Sequence, residues 1–281
     1  MTPTETTATR PACQRLVIRV SRHSLSFSAQ NSPLSPEPPD FEPYPLKSGI
    51  SPAANLREAF KTARLPAAGC PRVSVMVESP VLMVPVGLYD EGRRQELYRH
   101  SYPDTDAERV EGTVLPDLNA VALYAVNKDL QMVVTDRFAN AQFMCALAPV
   151  WRHLYQRSFA SQRNKVYTYF HDDKMDVMSF AQNRFKFCNA FPLSHTPDGT
   201  ASAHDALYYM LYVWKQLMLN AERDELYLVG ELPERDWLVS ELHRYVQRVY
   251  VINPSSDFNR APATRVAGMP FDMMAFYAKG R

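Results

Sequence analysis

The sequence predicts a duplicated α/β protein: two lobes, each a mixed sheet that opens with an antiparallel hairpin and carries helices on its faces. Three observations predict it. Residues 166–171, 175–180 and 184–193 form three successive strand patterns around the tight turn Asp172-Asp173-Lys174, and a helix pattern follows. A weaker copy of this order opens the chain. Hairpin 15–28, third strand 41–47, helix 51–64 and strand 72–78 match 165–180, 184–193, 203–219 and 225–229. Finally, the third strands end alike, in Tyr44-Pro45-Leu46 and Phe191-Pro192-Leu193, about half the chain apart. A repeat this long implies a duplicated domain rather than a solenoid. Such units pack about a pseudo-twofold axis and leave a cleft, where ligands tend to bind.

In the first half, residues 1–14 are expected to be a loose tail. Residues 16–20 alternate apolar side chains into a strand, Ser21-Arg22-His23-Ser24 makes a polar turn, and 25–28 returns. Pro33, Pro36, Pro38 and Pro39 forbid helix and central strand across 31–39. That stretch is a long, partly stiff loop; as a polyproline ligand it would be short and acidic. Ser51-Pro52 starts a helix with Ser as N-cap, and Leu56, Ala59, Phe60 and Ala63 share one face. Strands follow at 72–78 and 81–88, the latter marked as edge or bulge by Pro85. Asp90 caps a short polar helix through Tyr98. Residues 119–125 form a strand, Asn127 caps a helix over 128–138, 142–147 is a strand and Pro149 starts a helix. That strand–helix–strand order implies a parallel crossover.

In the second half, the helix over 203–219 buries Leu207, Met210, Leu211, Trp214, Leu217 and Met218. A core role is the default for such a stripe, against a cofactor lining. Strand 225–229, a helix from Pro233 through Val246 and strand 249–252 follow. Pro270 and Gly280 bracket a closing helix. The domain reading is a tail over 1–14, a first lobe over 15–158 with an insert at 81–125, and a second lobe over 159–281.

Composition narrows the function. The 31 basic and 30 acidic residues nearly cancel, so no long-range field draws nucleic acid or anionic lipid. Cys13, Cys70, Cys145 and Cys188 are scattered, with no C-x-x-C pair, which argues against zinc and for reduced thiols in a cytoplasmic protein. Residues 1–10 lack the apolar core of a secretory signal, and no stretch is long enough to span a bilayer. Only 9 glycines are present, and none forms a P-loop, a G-x-G-x-x-G fingerprint or a G-x-S-x-G elbow.

The element order, with Ala122-Leu123-Tyr124-Ala125-Val126-Asn127-Lys128-Asp129-Leu130 as a strand-to-helix entry and Leu228-Val229-Gly230-Glu231 before Pro233 as an adenosine-side motif, resembles the actin-like ATPase superfamily. That superfamily is built from ribonuclease H-like domains. The layout is similar to its cell-division and type IV pilus assembly members, which carry an insert where 81–125 lies. Over residues 15–279 the chain most resembles a bacterial family of unknown function, number 3822, grouped with the actin-like folds.

What the resemblance implies is mostly lost in the loops. The superfamily's first phosphate loop carries an Asp where Arg19 stands, with Ser21 and Arg22 in the turn. Tyr169 holds the second loop's Asp position, and His171, Asp172 and Asp173 replace its glycines. Asp176 matches an acidic residue just beyond. In the adenosine motif Gly230 is kept and Glu231 replaces the second glycine. The missing carboxylates would hold hydrated Mg²⁺, and two aspartates at a phosphate-facing turn would repel a triphosphate. Arg19, Ser21, Arg22, His171, Asp172, Asp173, Asp176, Gly230 and Glu231 are therefore the candidate cleft residues, with no catalytic residue and no metal assigned.

Three minor readings stay beside this one. His171-Asp172-Asp173 could be a metal site, but adjacent side chains rarely converge, which favours an exposed turn. Arg19, Arg22 and His23 could bind an anion, although a solvated hairpin end is the norm. Asp176 could be a remnant acid, although a hydrogen-bonded structural role suits it better.

The expected function is a cytoplasmic, non-catalytic scaffold with a degenerate nucleotide site. It would bind another protein through the insert 81–125 and the Pro-rich loop 32–45. The alternatives are an ATP- and magnesium-dependent phosphotransferase or ATPase with altered loops, using Arg19 or Arg22 on phosphate and Asp176 on metal, and a small-molecule sensor using the interdomain cleft.

Overall fold

The computed structural model describes residues 13–32, 35–103, 108–182 and 184–278. Most of the expected tail, together with Pro33 and Gly280, lies outside them. In chain order the first half contains β1 (Arg15–Val20), β2 (Leu25–Gln30), β3 (Asp40–Tyr44), α1 (Pro52–Thr62) and β4 (Arg72–Val77). Next come β5 (Val81–Pro85), α2 (Arg94–Ser101), β6 (Glu108–Leu115), β7 (Ala120–Asn127), α3 (Lys128–Arg137), β8 (Gln142–Cys145) and α4 (Ala148–Ser158). The second half contains β9 (Lys165–His171), β10 (Lys174–Ala181), β11 (Arg184–Pro192), α5 (Ala203–Gln216), β12 (Glu225–Gly230), α6 (Arg235–His243) and β13 (Val249–Val251). α7 (Pro254–Asp257) and α8 (Phe271–Ala278) close the chain.

Two five-stranded sheets share one topology, β3-β2-β1-β4-β8 and β11-β10-β9-β12-β13. In each, the first three strands are antiparallel and the last two join in parallel. Helix starts follow the expected chemistry. The Ser51 hydroxyl accepts from the Ala54 N–H at 3.2 Å and the Asn127 side chain accepts from the Leu130 N–H at 3.1 Å.

Several expectations are corrected. β7 does not start a crossover in the main sheet. It is the centre of a separate antiparallel sheet, β5-β7-β6, so the crossover from β4 to β8 contains the whole insert. β6 was not anticipated, because Glu108, Arg109 and Glu111 hide its apolar alternation. Past Pro85 the chain turns into a 3₁₀ segment (Val86–Leu88) instead of continuing as strand. α5 stops at Gln216, and Met218, with φ 52°, is 92% exposed rather than core. α6 begins after Glu234, itself left-handed at φ 38°. Cys13 and Cys70 form a disulfide with a Cα separation of 5.0 Å, while Cys145 and Cys188 are free. This pairing removes the thiol argument for a cytoplasmic location.

The most consequential difference concerns the last helix of each lobe. α4 holds the insert through the Arg152 hydrogen bond to the Val114 carbonyl and also packs on the second sheet, where Tyr155 meets Phe180 with ring centroids 5.8 Å apart. α8 crosses the other way. It covers Val17, Met76 and Ala146 of the first sheet with Met273, and the Tyr277 hydroxyl is 2.9 Å from Ser28 Oγ. The two helices touch each other where they cross, and Asp257 of α7 binds both His153 and Arg157 of α4. Residues 254–278, assigned from sequence to the second lobe, thus complete the first.

Candidate functional site: an ion-paired junction between the lobes

The duplication places the β1–β2 turn of the first lobe opposite the β9–β10 turn of the second. On β1, Val17 and Arg19 point to the α8 face while Leu16, Ile18 and Val20 point to α1 and α3, as the period of two requires. Arg19 is thereby aimed at the lobe junction, where it is only 2% exposed.

Its guanidinium is shared among three elements. Nε donates to Asp272 of α8 at 2.7 Å, Nη2 to Asp172 of the facing turn at 2.5 Å, and Nη1 to the Ser24 hydroxyl at 2.6 Å. Asp172 is further held by the hydroxyls of Ser21 and Ser24, at 2.7 and 2.8 Å. The first hairpin therefore donates several hydrogen bonds to one carboxylate of the second. Asp172 and Asp173 take φ of 46° and 57°, the pair of left-handed residues of a type I′ turn. They fill a turn that the resemblance would give to glycine.

Behind Asp172 the network continues. His171 lies 3.0 Å through Nδ1 from Asp172 and 2.7 Å through Nε2 from Asp176. Its ring stacks on Tyr169 with centroids 4.4 Å apart. The Tyr169 hydroxyl in turn accepts from the Asp272 N–H at 3.3 Å. Lys174 binds Glu78 at the end of β4 and lies 3.6 Å from Asp176.

Electrostatics follow the geometry. Burial alone would weaken each charge; the partners reverse that. Asp272 and Asp172 hold Arg19 well above its ordinary pKa. His171 and Arg19 hold Asp172 far below the usual carboxylate range. Hydrogen bonds to Asp172 and Asp176 raise His171, and Lys174 and His171 lower Asp176.

The remaining candidates separate. Arg22, His23 and Asp173 reach solvent around a cavity of about 760 Å³ between the lobes and the insert. His195 lies 3.2 Å from Asp173 there, and Tyr102 and Glu108 of the insert form the far wall. Gly230 and Glu231 border a second space of about 460 Å³ with Arg19 and His171. Gly230 has φ 92°, and a Cβ there would overlap the Phe170 carbonyl oxygen, so β12 and β9 can close only on glycine.

Two sequence readings are thus corrected. In the first hairpin Arg19 is buried while Arg22 and His23 stay exposed, and in the facing turn His171 and Asp172 are covered while Asp173 keeps 39% of its side chain exposed. Among the described residues no His/Cys/Asp/Glu group has the arrangement of a metal site. Asp272, Ser24, Lys174 and Glu78 were missed. A lone acid in the apolar run of α8, FDMMAFYA, was the available signal for Asp272.

Comparison with known proteins places this architecture. A Bacteroides thetaiotaomicron protein with actin-like ATPase fold and unknown function superposes with a TM-score of 0.79 at 25% identity, covering 95% of this chain and 96% of that one. The PilM–PilN type IV pilus biogenesis complex gives a TM-score of 0.50 at 14% identity over 96% and 98%. The ethanolamine utilization protein EutJ from Carboxydothermus hydrogenoformans gives 0.42 at 11% identity over 93% and 89%. No curated protein matches the sequence. The fold is that of the actin-like ATPases. The profile of the family described as "Protein of unknown function (DUF3822)" matches residues 3–249, and the chain belongs to that family.

Proposed function

We propose that this protein is a non-hydrolysing actin-like scaffold, in which an ion-paired junction does the work that a nucleotide phosphate chain does elsewhere in the fold: it ties the two lobes together. The observation that carries this reading is the Arg19–Asp172 pair. Arg19 stands where the resemblance expects a magnesium-binding acid, and it is committed to Asp172 and Asp272. A magnesium-bound triphosphate is a poor fit at these turns. It would have to part a buried ion pair and then sit against the carboxylate of Asp172.

Partner binding is the second half of the reading. A solved structure of the same fold is a complex between PilM and PilN. Here the insert exposes Leu88, Val86 and Val114, at 74%, 43% and 54%, apolar side chains that a partner could cover. The insert and the Pro-rich loop ahead of β3 are the surfaces we assign to a partner protein. Among the described residues no helix is long and apolar enough to cross a membrane.

Thermal denaturation with Mg-ATP, ADP or AMP tests the proposal. Ligand at 100 Kd would add ~2.7 kcal/mol, a shift of several degrees. The expected result is no shift with any of the three. A clear rise with Mg-ATP, accompanied by turnover, would overturn the reading.

A further inference from the structure

Among the described residues the outer edge of the second sheet has no strand partner, and Asn189 and Ala190 on it border the 760 Å³ cavity. β11 is its nine-residue end strand, paired on one side with β10. The Leu193 N–H donates to the Asp173 carbonyl at 2.9 Å, which sets the alternation. Phe191, Asn189 and Phe187 exchange hydrogen bonds with β10, and Cys188 and Ala190 turn their N–H and C=O groups outward. Among the described residues no hydrogen bond reaches those outward groups.

The other long edge is treated differently. On β6 the Val110 N–H donates to Gln95 at 3.3 Å, and the Val114 carbonyl accepts from Arg152 at 3.2 Å. The edge strand β3 carries Pro43, β5 carries Pro85, and β13 has only three residues.

The open edge is flanked by aromatic side chains. Tyr209 of α5 stacks on Phe191 with centroids 4.9 Å apart, and Tyr212, 49% exposed, stacks with Tyr208, 64% exposed. A bulge at Lys186 ends the regular register on one side and Pro192 ends it on the other. The usable edge is therefore residues 187–191.

We propose that β11 pairs antiparallel with β11 of a second copy, about a twofold axis through Asn189, to join two five-stranded sheets into one of ten. The argument is self-complementarity. This register sets Cys188 opposite Ala190 of the second copy, so all four outward groups on each strand are satisfied. Phe187 falls opposite Phe191, Asn189 opposite itself, and Lys186 opposite Pro192, so no like charges face each other. The α5 helices then lie side by side, with Tyr212 of each filling the gap between them. A net charge of +1 offers no repulsion between copies. The inference is independent of the scaffold proposal.

Sedimentation equilibrium on the full chain tests it. The expected species is about 64 kDa, twice 32.1 kDa. Ala190→Pro removes an outward N–H and Tyr212→Glu charges the flank; either should give a monomer. Tyr212→Glu lies on an exposed helix face and should leave the far-ultraviolet circular dichroism spectrum unchanged, while its Tm loses the concentration dependence of the wild type. Asn189→Cys should form a covalent dimer on oxidation, because a non-hydrogen-bonded pair brings Cα atoms to ~4.5 Å. A monomeric wild type, a dimer indifferent to Tyr212→Glu, or an Asn189→Cys protein that stays monomeric when oxidised would each overturn it.

Discussion

Arg19 and Asp172 lie 153 residues apart in sequence and 2.5 Å apart in space, the first near the end of β1 and the second in the β9–β10 turn that faces it. Both side chains are at most 5% exposed. Breaking a buried pair from one side leaves an uncompensated charge and costs about 3–5 kcal/mol. Arg19→Met and Asp172→Asn should each lower stability by that order in urea unfolding. The double mutant should lose clearly less than the sum of the two. Additive losses would show that the pair is not coupled.

The same network predicts a stability optimum in mildly acidic solution. Asp172 and Asp176 titrate below their ordinary values, so their contribution is present above about pH 4 and is lost as pH falls through the folded values. His171 is raised, so its contribution is complete below about pH 6.5 and is lost as pH rises through its folded value. Unfolding free energy measured across pH should therefore peak between about pH 4 and 6.5. His171→Gln should flatten the alkaline side and leave the acid side in place.

The two turn aspartates should respond oppositely to glycine. Both occupy left-handed backbone, which glycine adopts without strain. The Asp173 side chain is 39% exposed and is paired with His23 and His195, contacts of little value at a surface. Asp173→Gly should be neutral or stabilising by up to ~1 kcal/mol. Asp172→Gly relieves the same strain yet forfeits the junction, so its Tm should fall.

Gly230→Ala should destabilise by at least ~1–3 kcal/mol, because its left-handed φ and the Phe170 carbonyl both exclude a Cβ. The measurement is thermal denaturation against wild type. A tolerated alanine would mean that the β12 end is free to shift.

Removing residues 254–281 should unfold the first lobe and not only the second. Val17, Met76 and Ala146 would lose their cover of Met269 and Met273. Loss of cooperative unfolding, with dye binding to exposed apolar surface, is the expected outcome.

Much of the architecture was legible because it is written locally. Alternation across 166–171 and 175–180, Ser51-Pro52 at a helix start and the matching Tyr-Pro-Leu and Phe-Pro-Leu ends all report on neighbours in the chain. The insert's third strand escaped because charged residues on an edge mask its pattern. The site was legible as a set of residue types in two turns, but not as an arrangement. Arg19 looks like a solvent-facing charge until Asp172 and Asp272 are brought to it from the other half. No window around residue 19 contains that information. The exchange of α4 and α8 was invisible for the same reason: an amphipathic stripe says that a helix is covered, not by which sheet.

That exchange fixes a timetable for biosynthesis. β1 is made well before α8, and the acid that receives its Arg19 Nε is encoded 253 residues later. Until α8 is made, the nascent first sheet shows one bare hydrophobic face and holds an unmet cation at its rim. The first lobe therefore cannot mature before the second half of the chain has been made, and its bare face is an aggregation hazard until then.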